Sequence, residues 1–237
     1  IPLVIEQLLA VTIGMADTVM VSSCGEAAVS GISLVDSINF LLITLFSSLA
    51  TGGAVIASQY IGRGDHKSAS LAAKQLFYAS LALSAVLGII AVFFRKPVLN
   101  MVFGSIEADV MAHAQIYFLL SAISYPFLAV YNAGAALFRS MGDSRTTMLI
   151  SILMNTINIV GNAILIYGFQ MAAAGAATAS LVSRAVGAII ITVLLLNPHR
   201  IIFYDKLHKP EIHLSMLKSI LQIGVPNGLE NSIFQIG

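Results

Sequence analysis

Six stretches of this chain are each apolar for long enough to cross a lipid bilayer, and a seventh stretch begins in the same way. A membrane-spanning helix needs about 20 mostly apolar residues. The segments, numbered one to seven in chain order, cover residues 2–21, 33–61, 68–94, 109–138, 146–168, 171–196 and 217–237. Membrane-spanning strands would have shorter segments of alternating polarity. The sequence therefore predicts an all-α polytopic membrane protein built on a bundle of six transmembrane helices.

The overall composition agrees with a protein surrounded by membrane lipids. Hydrophobic residues make up 58% of the chain and charged residues 10%, whereas soluble domains are about 25% charged. The net charge is +1, and no basic stripe of the kind that binds a phosphate backbone is present. Nucleic acid is therefore not expected as a partner.

The distribution of basic residues predicts the orientation of the chain, because short cytoplasmic loops carry an excess of Lys and Arg. If the N-terminus is cytoplasmic, the outer connections hold only Arg95 and Lys96. The inner positions then hold Arg63, Lys67, Lys74, Arg139, Arg145, Arg200, Lys206, Lys209 and Lys218. We therefore expect a multi-pass protein of the plasma or inner membrane with a cytoplasmic N-terminus.

The longest connection, which follows segment six, suggests a boundary between two lobes. It mixes charged residues with apolar ones such as Ile202, which is typical of a partly amphipathic cytoplasmic linker. A proline precedes a glutamate by four residues in segment one, at Pro2 and Glu6, and again in segment seven, at Pro226 and Glu230. The predicted organisation is an N-terminal six-helix lobe (1–196), an inter-lobe linker (197–215) and the start of a second lobe (216–237).

Polar side chains inside three segments form a predicted layer at one membrane depth. At about 1.5 Å per residue, these side chains lie roughly 8 to 15 Å below the outer ends of their segments. They are Asp17, Asn158, Asn162 and Ser180. A carboxylate with amide and hydroxyl oxygens is a ligand set that hard cations prefer, which predicts a site for Na⁺ or a proton. The alternative is that the amides and the hydroxyl only join helices, at about 0.6 kcal/mol per contact.

Three other charged residues inside the segments each allow two interpretations. Glu6 and Arg184 lie at similar depths in the inner half of the membrane and could form an ion pair, or each could extend separately to the cytoplasmic surface. Asp36 lies near the predicted outer end of segment two. It is either a hydrated residue at a helix end or a side chain that draws cationic substrates into a cleft.

Motifs along the whole chain carry a family resemblance. The motifs are PLVIEQ (2–7), ADTVMV (16–21), SQYIGRGD (58–65), RSMGDSR (139–145), NIVGN (158–162), GAATAS (175–180) and IGVP (223–226). In this order they resemble the multidrug and toxic compound extrusion (MATE) family. The resemblance implies secondary active efflux by alternating access. Two six-helix lobes would exchange Na⁺ or H⁺ for small organic, often cationic, compounds, and this chain would lack the second lobe.

Carried onto matching positions, the resemblance implies a cation-coupling site and a bending first helix. The site would comprise Asp17, Asn158, Asn162, the carbonyl group of Ala176, and Ser180, with Pro2 in the helix that bends. The chain departs from the family pattern at four positions: Ser180 stands where Thr is usual, Thr147 where the loop often has Pro, Ala172 where Gly is common, and Asn162 where some members have a second acid. A single carboxylate in the layer favours Na⁺, with H⁺ as the alternative.

Other classes of function fit the sequence less well. A membrane-embedded enzyme would need a nucleophile–base pair or a metal motif, and a channel would need a repeated ring of ion-lining residues. The sequence shows neither pattern, so we expect no enzyme activity and no cofactor besides the coupling ion. A lipid-linked oligosaccharide flippase of the same superfamily stays an alternative. It would be expected to have cationic residues in its cavity, for which Arg184 is the sole candidate.

Overall fold

The computed structural model describes Leu8, residues 19–205, Leu207 and residues 211–236, the last six as backbone. Every regular element in these ranges is helical. The α-helices are α1 (Glu26–Gly62), α2 (His66–Phe103), α3 (Ala108–Ser140), α4 (Ser144–Asn162), α5 (Ala172–Leu195) and α6 (Leu214–Ile236). A π-helical turn, Ala163–Gly168, continues α4. Among the described residues, α1, α2, α3, α4 with its π-turn, and α5 are long and apolar enough to span a membrane. The all-α membrane class is confirmed, whereas the number of six spanning helices stays a prediction.

Two helices extend beyond their predicted segments for identifiable physical reasons. Helix α1 begins at Glu26 rather than at residue 33. Its first turns pack closely on α3, since a Cβ atom on Gly31 would lie 2.9 Å from the Ala114 amide nitrogen. Helix α2 has non-helical dihedral angles at Phe94 (φ −109°, ψ 20°), where segment three was predicted to end, and continues to Phe103. The break precedes Pro97. In an unbroken helix, the proline ring would collide with the carbonyl group four residues earlier.

The chain divides into two compact units. The first contains the described residues up to Phe40, together with Ala85–Tyr125 and Met148–Gly187. The second contains Leu41–Ser84, Pro126–Thr147 and the described residues from Ala188 onward. The predicted division at residues 196 and 215 concerns lobes of a longer protein, and it stays a prediction.

Two short connections in the second unit end on aspartates that cap the following helix. The Ser68 amide donates to Asp65 Oδ1 at 3.0 Å, and the Thr146 amide donates to Asp143 Oδ1 at 3.1 Å. Such bonds satisfy amide groups that have no partner within the helix. The glycine before each aspartate has a positive φ, 74° at Gly64 and 82° at the equivalent position before Asp143. The Gly-Asp pairs in the third and fourth motifs are thus turn and capping residues.

Hydrogen bonds join the segment after α5 to α2 in the second unit. Buried Gln75 donates through Nε2 to the Glu211 carbonyl oxygen and accepts from the His213 amide at 3.0 Å. Tyr78 Oη donates to the Leu207 carbonyl oxygen at 2.6 Å. Ile202 is fully buried. The segment predicted to be a partly amphipathic linker therefore packs on the protein at these positions.

Candidate functional site

The centre of the candidate site is a buried pair of amides on α4, in the first unit. Asn158 and Asn162 are one helical turn apart, and the Asn162 side chain has no solvent-exposed surface. Asn162 Nδ2 donates to Asn158 Oδ1 at 3.4 Å, and Asn158 Nδ2 donates to Ser180 Oγ on α5 at 3.0 Å. The structure therefore brings together three of the predicted site residues.

Small residues let α4 and α5 approach closely at the level of this pair. A Cβ atom on Gly161 would lie 3.0 Å from the Ala179 Cβ atom. Farther along α5, a Cβ atom on Gly187 would overlap the Met154 side chain. Membrane helices commonly pack through such residues, because small side chains allow the backbones to come near. The close approach at Gly161 brings the two helices near enough for the short Ser180 side chain to reach Asn158.

Ala176 lies in an apolar cluster that also contains the end of segment one. Its buried members are Val21, Ala28, Ile166 and Ala176, with Met20 packed against them. Residues 19–22 are helical. Asp17, Pro2 and Glu6 lie outside the described residues, so their predicted roles in coupling, helix bending and ion pairing stay predictions.

The π-helical turn follows Asn162 directly and ends in an unusual backbone conformation. The Phe169 amide donates to the Ile164 carbonyl oxygen at 3.1 Å, a bond that spans five residues. Two residues beyond the turn have positive φ, Gln170 at 55° and Ala172 at 44°. π-helical turns occur frequently at functional sites. Glycine adopts positive φ at lower cost than alanine, which accounts for the family preference for glycine at position 172.

A second polar group in the first unit surrounds Asp36. Asp36 Oδ1 accepts from Tyr117 Oη at 3.0 Å and from Asn39 Nδ2 at 3.3 Å. Buried Tyr125 donates through Oη to Asn39 Oδ1 at 2.8 Å. Since α1 begins at Glu26, Asp36 lies about 15 Å along the helix. The interpretation of Asp36 as a helix-end residue is therefore wrong, and its proposed role in a substrate cleft remains to be tested.

Arg184 on α5 joins the serines of α3 beside this second group. Arg184 Nη1 donates to Ser124 Oγ at 2.7 Å, and Ser124 Oγ donates to the Ser121 carbonyl oxygen at 2.7 Å. Asn39 Nδ2 lies 3.4 Å from Ser121 Oγ. The polar residues of α3 were not predicted from the sequence. A signal was present, because Tyr117, Ser121 and Ser124 recur at spacings of four and three, which fall on one helical face.

A third asparagine of α4 has a partner on its own helix. Asn155 Nδ2 lies 3.4 Å from Ser151 Oγ. The residues that meet across the α4–α5 interface are therefore Asn158 and Ser180. Their oxygen atoms, with those of Asn162, belong to the ligand type that hard cations prefer, so these neutral donors fit Na⁺, whereas a proton site would also need a carboxylate.

Sequence comparison relates the chain to membrane transporters. The MatE family model matches residues 2–164. The uncharacterized transporter YisQ of Bacillus subtilis is 31% identical over 248 residues, covering 99% of this chain and 52% of that protein. The probable multidrug resistance protein NorM of Thermotoga maritima is 29% identical, covering 100% of this chain and 51% of that protein. The chain thus spans about half the length of these curated relatives.

Comparison with solved structures shows the same fold. A MATE crystal structure in the bent conformation superposes with a TM-score of 0.90 at 24% identity, covering 100% of this chain and 52% of that one. A MATE structure in the straight conformation has a TM-score of 0.91 at 23% identity, with coverages of 99% and 52%.

Proposed function

The chain belongs to the MatE family, and from this we propose that it forms part of a secondary active multidrug efflux transporter. The transporter exchanges Na⁺ or H⁺ for small organic, often cationic, compounds by alternating access. The relatives are about twice as long as this chain, and a second lobe of the same protein completes the transport pathway. The buried Asn158–Ser180 contact, which gathers oxygen ligands inside a membrane span, is the observation that carries this proposal.

The coupling site that we propose combines the described oxygens with one carboxylate. Asp17 supplies the negative charge, and Asn158, Asn162, Ser180 and the Ala176 carbonyl group supply neutral oxygens. Val21 supports this placement, because it lies in one cluster with Ala176 and follows Asp17 by four residues, the spacing of side chains on one helical face. With one carboxylate and neutral partners, the site matches the charge of one Na⁺ ion or one proton.

The coupling mechanism follows from the cost of an uncompensated charge in the membrane. An ionised aspartate inside a span costs roughly 2.5 to 3.5 kcal/mol on insertion scales. Binding of Na⁺ or H⁺ neutralises Asp17 and favours the state in which its helix packs against α4 and α5, with bending at Pro2. An ion shifts a conformational equilibrium only through different affinities for the two states. The neutral oxygens of Asn158 and Ser180 supply that difference when the helices close around the ion.

The remaining charged residues have proposed roles on the pathway. Asp36 faces the substrate cleft, where its exposed carboxylate attracts cationic compounds. Arg184 and Glu6 form an ion pair in the inner half of the membrane. The bond to Ser124 uses one of the five N–H donors of Arg184. An exchange of the two charges, Glu6→Arg with Arg184→Glu, should restore activity that each single change removes, and equal loss in the double variant would disprove the pair.

We place the N-terminus in the cytoplasm and the protein in the plasma membrane. Basic residues flank the turn between α1 and α2 and the turn between α3 and α4, and they then face inward, with Arg95 and Lys96 outside. The flanking residues are Arg63, Lys67, Arg139 and Arg145. Labelling of single cysteines by an impermeant maleimide tests this orientation in intact cells. A cysteine introduced at Ser105 should be labelled and one at Arg63 should not.

The decisive experiment measures efflux of an organic cationic dye by the full-length protein in proteoliposomes. Separate Na⁺ and H⁺ gradients identify the coupling ion. We expect Asp17→Asn to abolish gradient-driven efflux, because an amide does not carry the charge that the ion neutralises. Asp109→Asn, at the exposed start of α3, is the matched control and should retain it. Unchanged coupling in Asp17→Asn would remove this carboxylate from the mechanism, and translocation of a lipid-linked oligosaccharide without dye efflux would favour the flippase.

A further inference from the structure

A cavity of about 630 Å³ lies in the second unit, where the start of α2 meets the segment before α6. Its lining includes two lysines, two carboxylates and two apolar side chains, namely Lys67, Lys74, Asp205, Glu211, Leu71 and Phe203. The cavity is separate from the proposed coupling site, whose residues belong to the first unit. The transport mechanism makes no use of it.

Lys74 is the unusual member of this lining. Its side chain is only 5% exposed, and the structure gives it no hydrogen bond or ion pair with any described residue. Lysine is rarely so deeply buried unless it is paired, because an unpaired charge away from water is costly. Lys74 and Lys67 are seven residues apart and so lie on one face of α2. A bound anionic group would supply Lys74 with a partner that none of the described residues provides.

The other side of the cavity offers the opposite charge. Asp205 and Glu211 are both exposed acidic residues of the lining. Gln75 holds the Glu211 main chain in place through its carbonyl oxygen. A small dianion would be repelled by these two carboxylates, whereas a ligand with an anionic and a cationic end is attracted at both. Leu71 and Phe203 add apolar surface, which suits an amphiphilic ligand.

We propose that this cavity binds the head group of phosphatidylethanolamine. The phosphate accepts hydrogen bonds from Lys74 and Lys67, and the ammonium group donates to Asp205 and Glu211. Lys74 lies eight residues from the start of a membrane-spanning helix, about 12 Å along its axis, so a lipid reaches it from the adjacent leaflet. Basic pockets between membrane helices commonly hold lipid head groups. Free inorganic phosphate shares the anionic chemistry but lacks the ammonium group and the acyl chains.

Native mass spectrometry of the delipidated full-length protein tests the proposal directly. The protein is titrated with phosphatidylethanolamine, and with phosphatidylcholine, whose ammonium group has no N–H donors. We expect Lys74→Met to weaken phosphatidylethanolamine binding roughly tenfold, as the loss of a charge-assisted hydrogen bond implies. Lys74→Arg keeps the charge and should retain binding. Lys218→Met, an exposed lysine of α6, is the matched control and should bind as wild type does.

Three results would overturn the assignment. The first is equal binding by wild type and Lys74→Met. The second is thermal stabilisation by inorganic phosphate as large as that by the lipid, which would indicate a site for free anions. The third comes from Glu211→Gln, a change at an exposed side chain that provides a test even if Lys74→Met fails to fold. We expect Glu211→Gln to lose the preference for phosphatidylethanolamine over phosphatidylcholine, and an unchanged preference would disprove the role of the carboxylate.

Discussion

At the scale of single residues, one amide on α4 organises the candidate site. Asn158 donates to Ser180 and accepts from Asn162, so it links two helices and fixes the orientation of a second amide. Buried polar networks of this kind lose their order when one member is removed. The position of Asn158 therefore influences all three oxygen ligands.

We expect Asn158→Ala to weaken Na⁺ or H⁺ stimulation of efflux roughly tenfold, because one ligand is lost and two others lose a hydrogen-bond partner. Asn155→Ala is the matched control, since Asn155 contacts Ser151 of its own helix and not α5. The apparent affinity for the ion, measured in proteoliposomes, should stay near the wild-type value in this control. Equal losses in both variants would show a general effect of amides on α4.

Sequence periodicity predicted the contacts of the site only in part. The spacing of Asn158 and Asn162, with the depth of Ser180, correctly brought these three side chains together. Periodicity gives the face of a helix but not the rotamer or the nearest partner, so it does not predict that Asn155 lies beside Ser151 of its own helix. Tyr117 was missed for a related reason, since its role depends on the neighbouring position of Asp36 on another helix.

Asp143 gives a prediction that depends on pH. Burial alone would raise the pKa of its carboxyl group, but hydrogen bonds from Thr146 and Arg200 outweigh burial and lower the pKa below its usual value. Arg200 Nη1 lies 3.4 Å from Asp143 Oδ2. A carboxylate with a lowered folded-state pKa contributes stability above its unfolded pKa of about 3.9 and loses that contribution as pH falls through the folded-state value.

We therefore expect Asp143→Asn to lower the free energy of unfolding at pH 7 by about 0.5 to 1 kcal/mol. Asparagine still caps α4, so the change removes mainly the charge. The difference from wild type should shrink as the pH is lowered through the folded-state pKa of Asp143, in thermal unfolding of the protein in detergent. A difference that does not change with pH would contradict the electrostatic origin.

At the scale of elements, hydrophobic length predicted the helices well and their irregularities poorly. The predicted ends of segments four to six lie within two residues of the helices that the structure describes. The π-turn after Asn162 and the break at Phe94 were not predicted. Both replace regular hydrogen bonds without changing the apolar composition, so a count of apolar residues does not detect them.

The start of α5 offers a test of the backbone conformation after the π-turn. Ala172 has φ 44°, and such a conformation costs a residue other than glycine about 1 kcal/mol or more. We expect Ala172→Gly to raise the free energy of unfolding by about 1 kcal/mol. Ala173→Gly, at the next position of the helix, should lower it by about 1 kcal/mol. Equal effects of the two changes in chemical denaturation would show that Ala172 is not strained.

At the scale of the whole molecule, the last described helix, α6, makes close backbone contact with α1. A Cβ atom on Gly52 of α1 would lie 2.5 Å from the Ile220 carbonyl oxygen and 2.8 Å from the Gly224 amide nitrogen of α6. Gly224 belongs to the IGVP motif, which the resemblance places at the start of the second lobe. In that organisation, α6 is the first element of the second lobe, and it packs on a helix of the first.

We expect Gly52→Ala to destabilise the protein by about 1 to 3 kcal/mol, because a methyl group would force the two backbones apart. Gly62→Ala is the matched control, since a Cβ atom there would meet no atom within 4 Å. The measurements are thermal unfolding and the rate of disulfide formation between cysteines introduced in α1 and α6. Similar stability of the two variants would contradict close packing at Gly52.

The attachment of Gln75 to the segment before α6 has an evolutionary consequence. Both of its hydrogen bonds are made to main-chain atoms, the Glu211 carbonyl oxygen and the His213 amide. Point substitutions at these two positions therefore preserve the attachment, provided that the backbone path is kept and that position 213 does not become proline, which lacks an amide hydrogen. A one-residue insertion or deletion between Tyr204 and Glu211 would instead shift both atoms out of register. We therefore expect homologues that keep this glutamine to vary in the amino-acid sequence of the segment but not in its length.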